Sequence, residues 1–370
     1  MDTAHQLHCR RASAIVMHVH YNEVSDAPQV HGIDAPRLAR WMDERRIGAG
    51  PVAEVRLLGG GTQNVVAEFR RGRERYVLRR PPVSGRTDGS ATMLREAAVL
   101  DALEHTDVPH PRLVAACADE SVLGAAFYLM EPVPGVNPAT ALPEPFVRDA
   151  ALQRDLGFAM VDTLVALRDV DVSHPLLRDL GRPEGWLERQ APRWLRRLAV
   201  TAEIPGYRPL PQARLEALGQ WLGAHRPARM RTGLVHGDFH FANVLVDQAR
   251  PQIVAVVDWE LVSIGDPRLD LGHFLAVLGF PPIPGLPDLP GMPGPDEVIQ
   301  RYQQLTGDTA EADLSWFRVL ACLRLTAILE ETVGRAVLGH APAELGKTFR
   351  AVTLRLLALA EDVIDMTKGL

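Results

Sequence analysis

At 370 residues, with 46% hydrophobic and 23% charged content, the chain has material for two lobes with cores of their own. A net charge of −6 argues against a nucleic-acid-binding surface. Cys9, Cys117 and Cys322 are widely spaced and include no CxxC pair, which excludes a disulfide framework or structural zinc and points to a reducing, cytoplasmic setting, while the lack of any run of 18 apolar residues excludes a membrane span.

Residues 1–30 lack the continuous apolar core of a signal peptide and read as a disordered extension, with Met17 an alternative start. Residues 36–44 have helical character. Two runs of strand composition, 52–58 and 65–70, flank Gly59, Gly60, Gly61, Thr62, Gln63 and Asn64. Glycine permits close backbone approach, so such a loop can present N–H groups to phosphates, although a plain hairpin turn has the same composition. GxxxxGK[ST] is absent, and a glycine loop leading into a strand is not a dinucleotide fingerprint. A third strand, 75–80, ends on Arg79 and Arg80 before Pro81 and Pro82. Helical spacing over 92–103 lines up Met93, Ala97, Leu100 and Leu103. Glu96 falls on that apolar side, where a carboxylate is costly unless paired; Glu104, at the helix end, can reach water.

Two more strands, 112–117 and 125–130, lead to Met130-Glu131-Pro132-Val133-Pro134-Gly135, which breaks the pattern and marks a boundary between an N-lobe (31–132) and a C-lobe (133–370). From Leu152 the chain is mainly helical, with Leu156, Met160, Leu164 and Leu167 as core. The basic, aromatic stretch 186–197 reads first as a solvated helix face and second as a surface for an anionic substrate. Next comes His236-Gly237-Asp238, then Asn243 five residues beyond the acid, then two short apolar strands, the second ending on Asp258. A hairpin would bring Asn243 and Asp258 to one end, with Asp238 on the loop before it. Such oxygen ligands suit Mg²⁺, and a further carboxylate could orient a hydroxyl and accept its proton. A proline- and glycine-rich loop, 280–295, reads as a border of the site or as a linker. Helices over 312–336 and 342–366 close the chain.

His-Gly-Asp-x-x-x-x-Asn followed by a strand-ending Asp, with Gly265-Asp266-Pro267-Arg268-Leu269-Asp270-Leu271-Gly272 beyond it, resembles the aminoglycoside phosphotransferase family. The resemblance implies an α+β, two-lobed protein-kinase-like fold with a small antiparallel-sheet N-lobe and a mainly helical C-lobe. It further implies ATP or GTP and Mg²⁺, with a hydroxyl on a small molecule as acceptor. By the same resemblance Gly59, Gly60, Gly61, Thr62 and Asn64 cover the phosphates. Arg79 stands where the family has lysine and is braced by Glu96, and the linker residues Met130, Glu131 and Val133 meet the base. Asn243 and Asp258 hold the metal, and Asp238 is the catalytic base. The 186–197 segment resembles the kinase-like part of acyl-CoA dehydrogenase fusion proteins, which sets a hydroxyacyl-CoA beside aminoglycosides as acceptor. Two alternatives stand: a nucleotide-binding pseudokinase, prompted by Arg79, and a metal-dependent hydrolase using His236, Asp238 and His240.

Overall fold

The structure is a computed structural model and describes residues 29–30, 32–58, 64–82, 88–278, 289–308 and 311–368. Gly59, Gly60, Gly61 and Thr62, the expected extension up to residue 28, and residues 280–288 of the proline-rich loop lie outside the described residues.

Helix α1 (Ala35–Glu44) starts where Asp34 accepts from Arg37 N (2.9 Å) and buries Leu38, Trp41 and Met42. Alternating apolar residues then form five antiparallel strands, β1 (Val52–Leu57), β2 (Val65–Arg71), β3 (Glu74–Arg80), β4 (Leu113–Cys117) and β5 (Phe127–Met130), in the order β1-β2-β3-β5-β4. Helix α1 covers one face, with Trp41 edge-on to Phe127 at 4.8 Å. Helix α2 (Gly89–Leu103), three residues longer at its start than the spacing predicts, buries Met93, Glu96, Ala97, Leu100 and Leu103. Its apolar side belongs to one core with Phe239, Val244, Val256 and Trp259, so this helix seats the N-lobe on the segment that carries Asn243 and Asp258.

Helices α3 (Ala150–Arg168), α4 (Trp186–Ala202) and α5 (Gln212–Ala224) open the C-lobe. The short strands β6 (Gly233–Val235), β7 (Val244–Val246), β8 (Ile253–Val256) and β9 (Ser263–Gly265) follow, then α6 (Arg268–Leu278), α7 (Pro295–Thr306), α8 (Glu311–Val337) and α9 (Ala343–Thr367). Strands β7 and β8 form the expected hairpin, with Val244 opposite Val256. Strand β6 pairs antiparallel with β9, Val235 opposite Ser263, so the chain is clamped where it enters and where it leaves residues 236–262. The second strand of the hairpin stops at Val256, two residues short of the expected Asp258. The described part of the proline-rich loop packs on α3, where a Cβ on Gly157 would lie 2.3 Å from Pro293 Cδ. No described helix is long and apolar enough to cross a membrane.

Candidate active site

The loop after β6 is fixed by backbone geometry and by one buried acid. Gly237 has φ +87°, and a Cβ there would meet Leu261 O at 2.6 Å, so glycine is required. Asp270, buried in the first turn of α6, accepts from His236 N (2.7 Å) and Gly237 N (2.8 Å). Burial pushes its carboxyl up to about 6, against the pull of those two donors. Arg268, also buried, anchors the start of α6 by bonds to Asp266 (2.7 Å) and Asp313 (2.8 Å). His236 accepts from Asp238 N at Nδ1 (3.2 Å) and donates from Nε2 to Val257 O (3.1 Å). Burial lowers it to about 4. Both ring nitrogens are thereby engaged in bracing the loop, which removes His236 from the hydrolase trio.

Asp238 follows, partly exposed. Asn243 Nδ2 donates to both its carbonyl and its Oδ2 at 2.9 Å. His240 Nε2 and His273 Nε2 each lie 3.4 Å from its carboxylate. Burial disfavours the charge on Asp238, but His240, His273 and Arg324 outweigh it and hold the carboxyl well below the usual range. His273, fully buried, is itself lowered to about 3. Asp238, His240 and His273 bring ligand atoms within 4.8 Å of one another. His240 Nδ1, however, accepts from Ala242 N (3.1 Å), which leaves its proton on Nε2 facing Asp238. Asn243 and His240 thus present N–H groups to the carboxylate, whereas both ring nitrogens of His273 are buried without a hydrogen-bond partner among the described residues.

Asp258 lies beside this group because Val257 N donates to Asn243 O (2.9 Å), extending the hairpin past its last paired residues. It takes φ +66°, a left-handed conformation rare for a residue with a side chain. Its Oδ1 accepts from Arg79 Nη2 at 2.6 Å. Arg79 Nε is 2.9 Å from Glu96 Oε2, and the same oxygen accepts from Tyr128 Oη at 2.9 Å. Arg79 and Tyr128 sit opposite each other on β3 and β5, so both point at the helix that carries Glu96. Burial opposes the charge on Arg79, but Tyr128, Glu96 and Asp258 overcome it and keep the guanidinium protonated. The strand–helix ion pair expected from the sequence is thus present, with a third member, Asp258, reaching across from the C-lobe.

Among the remaining expected residues, Asn64 lines a small cleft with Gly89, Thr92, Glu260 and Leu261. Met130 closes β5 opposite Val77, and Glu131 N donates to Arg112 O (2.9 Å) and its side chain pairs with Arg112. Val133 is half-buried in the stretch that follows. That stretch is then stitched to the catalytic hairpin: Val136 N donates to Val246 O (2.9 Å), Val246 N to Val136 O (2.8 Å), and Asn137 Nδ2 to Ala242 O (2.6 Å). Sequence reasoning missed Asp270, His273, Tyr128 and Arg324 as parts of the site. An arginine amid Leu320, Ala321, Cys322, Leu323 and Leu325 was a legible signal for the last.

The sequence model of APH, the phosphotransferase enzyme family, matches residues 54–317. The chain belongs to that family. Among curated relatives, acyl-CoA dehydrogenase family member 10 of Mus musculus is 33% identical over 218 residues, 58% of this chain and 19% of the relative. Family member 11 of Gallus gallus is 27% identical over 365 residues, 94% of this chain and 45% of the relative. The APH chain therefore spans less than half of these proteins. A Ralstonia eutropha protein assigned as an aminoglycoside phosphotransferase shares 28% identity with a TM-score of 0.73, over 88% of this chain and 98% of its own. Aminoglycoside phosphotransferase APH(4)-Ia, solved with AMP-PNP and hygromycin B, has the same fold at 15% identity and a TM-score of 0.55, over 87% of this chain and 98% of its own. The small antiparallel sheet and helical C-lobe are thus those of a two-lobed, protein-kinase-like phosphotransferase.

Proposed function

We propose that this APH protein transfers the γ-phosphoryl group of ATP (or GTP) to a hydroxyl of a small molecule in a Mg²⁺-dependent reaction. The observation that carries the reading is the joining of Asp238 to Asn243, and of Asp258 to the Arg79–Glu96 pair, at one end of the hairpin. The amide of Asn243 spends its N–H on Asp238, which turns its Oδ1 to other use; with the Asp258 carboxylate it offers the all-oxygen donor set that a hard cation prefers. Those two residues would hold Mg²⁺, which when bound supplies positive charge to the transferring group. Arg79, steadied by Glu96, contacts the nucleotide phosphates, and Asn64 with the glycine stretch before it covers them. Met130, Glu131 and Val133 border the base.

Asp238 orients the acceptor hydroxyl. As the hydroxyl oxygen bonds to phosphorus and the bond to the leaving nucleoside diphosphate breaks, the proton passes to Asp238. A carboxylate of such low proton affinity accepts it late, once bond formation has made the hydroxyl acidic. The reading is tested by nucleoside-diphosphate release against a panel of aminoglycosides, hydroxylated metabolites and hydroxyacyl-CoAs. Asp238→Asn is expected to lower turnover on an accepted substrate by roughly 10²–10⁴; full activity in that variant removes Asp238 from the role. Asp258→Ala is expected to abolish Mg²⁺-dependent nucleotide binding in calorimetry. Tight nucleotide binding with no turnover on any acceptor would instead favour a nucleotide-sensing scaffold, the reading that Arg79 in a lysine's place invites.

A further inference from the structure

Behind the loop that carries Asp238 lies a group of cations, among them Arg324, whose field lowers the proton affinity of Asp238 but whose N–H groups have no assigned acceptor in the proposed reaction. Arg324, on α8, is only 4% exposed, makes no hydrogen bond or ion pair with any described residue, and has Nη1 fully buried. Its Nη2 lies 3.2 Å from where a Cβ of Gly237 would be, directly under the residue that precedes Asp238. The guanidinium groups of Arg193, Arg197 and Arg324 stand 5.0, 5.1 and 5.3 Å from the ring centre of one buried side chain, Trp194. Arg197 is satisfied by Glu331, through bonds of 2.5 and 2.7 Å. Arg193 and Arg324 have no acid within ion-pair range among the described residues.

Three like charges around one indole repel one another, and a buried guanidinium without a partner is among the costliest arrangements a core can hold. Asp238 and Asp270 act on Arg324 through space, yet neither touches it, and each already has closer partners. Cation–π contact with Trp194 offsets only part of the deficit. A planar fork left without an acceptor matches an oxyanion, which it can hold bidentately.

We infer that Arg324 and Arg193, gathered around Trp194 beside the catalytic loop, form a subsite for an oxyanion, carboxylate or phosphate, carried by the acceptor molecule. Arg193, on the exposed side of α4, meets the incoming group; Arg324, behind it and next to Gly237, sets how far that group lies from the reacting hydroxyl. The placement of the acceptor rests on the phosphotransfer reading, whereas anion binding itself does not.

The test uses inorganic phosphate as probe, titrated calorimetrically into the full chain at fixed ionic strength with Mg·ADP saturating, so that the nucleotide site is filled. The wild type is expected to take up one phosphate per chain, and Arg193→Met to weaken that binding at least tenfold. Absence of saturable binding, or equal binding by Arg193→Met, overturns the subsite. Arg324→Lys, which keeps the charge but loses the fork, is expected to weaken binding as well; unchanged affinity there removes Arg324 from it. Because Arg193 is a surface residue on its helix, that variant remains informative if changes at Arg324 prevent folding. A kinetic arm compares acceptors matched in their hydroxyl but differing in a carboxylate. Arg193→Met is expected to raise KM for the carboxylated member and to leave KM for the uncharged one where it is. Phosphate binding that behaves as described, with no acceptor phosphorylated, leaves the subsite standing and sinks the kinase reading; turnover with no preference for anionic acceptors does the reverse.

Discussion

Glu96 and Asp270 are both buried carboxylates, and each holds one half of the site, but they do it by different means. Glu96 faces a cation and a phenol, Arg79 and Tyr128, so its grip is charge on charge between side chains. Asp270 faces two backbone N–H groups, of His236 and Gly237, so its grip fixes the path of the chain itself. The N-lobe thus positions a long side chain that also reaches Asp258, whereas the C-lobe positions a stretch of backbone. On the phosphotransfer reading proposed above, Arg79 as a phosphate-binding cation tolerates adjustment, whereas Asp238 as the group orienting the hydroxyl gains its effect from fixed geometry.

The contrast is broken most directly at Asp270. Asp270→Ala leaves two buried donors unsatisfied and is expected to cost about 2–6 kcal/mol of stability, at roughly 1–3 kcal/mol per orphaned group. Urea denaturation measures it; a loss under about 1 kcal/mol would mean the loop is held elsewhere. Glu96→Gln keeps the shape and removes the charge. Arg79 retains Asp258, so the loss is expected at the low end for a broken buried pair, about 3 kcal/mol, with weaker nucleotide binding beside it. Equal or greater cost there than at Asp270 would invert the ranking of the two halves.

The smallest effect sharpens the comparison through pH. His236 and His273 are lowered to about 4 and about 3, so as pH falls below 6.5 the unfolded chain takes protons that the folded one refuses, and stability is lost. Asp270, raised to about 6, works the other way: between about 6 and 4 the folded state gains a proton first and is favoured. At pH 5 each histidine costs about 2 kcal/mol and Asp270 returns about 1.4, a net loss between about 2 and 3 kcal/mol relative to pH 7. Thermal unfolding from pH 7 to 5 checks it; stability that rises on acidification would show that the histidines are not buried neutral.

The same comparison explains what could be read from the chain in advance. Glu96 was legible because it violates a local pattern, an acid on the apolar stripe of Met93, Ala97, Leu100 and Leu103, and a strand-end arginine could answer it. The hairpin with Asn243 and Asp258 was legible from two apolar runs and the spacing between them. Asp270 offered no such contrast, since α6 is buried from Arg268 to Ala276 and has no exposed face to mark the acid as misplaced. Its partners, moreover, are backbone groups 33 and 34 residues away, which no side-chain pattern announces. The early end of β8 has a similar cause. Asp258 adopts a left-handed conformation, which aspartate tolerates better than most residues but which no spacing of apolar residues marks, and from it the carboxylate meets Arg79.

The stitching of Val136 and Asn137 to the hairpin, with Glu131 N held by Arg112 O, leaves residues 132–135 as a four-residue connection from the sheet to the β7–β8 hairpin. The sheet and the turn that carries Asn243 are therefore joined by backbone hydrogen bonds at Val136 as well as by the Arg79–Asp258 contact.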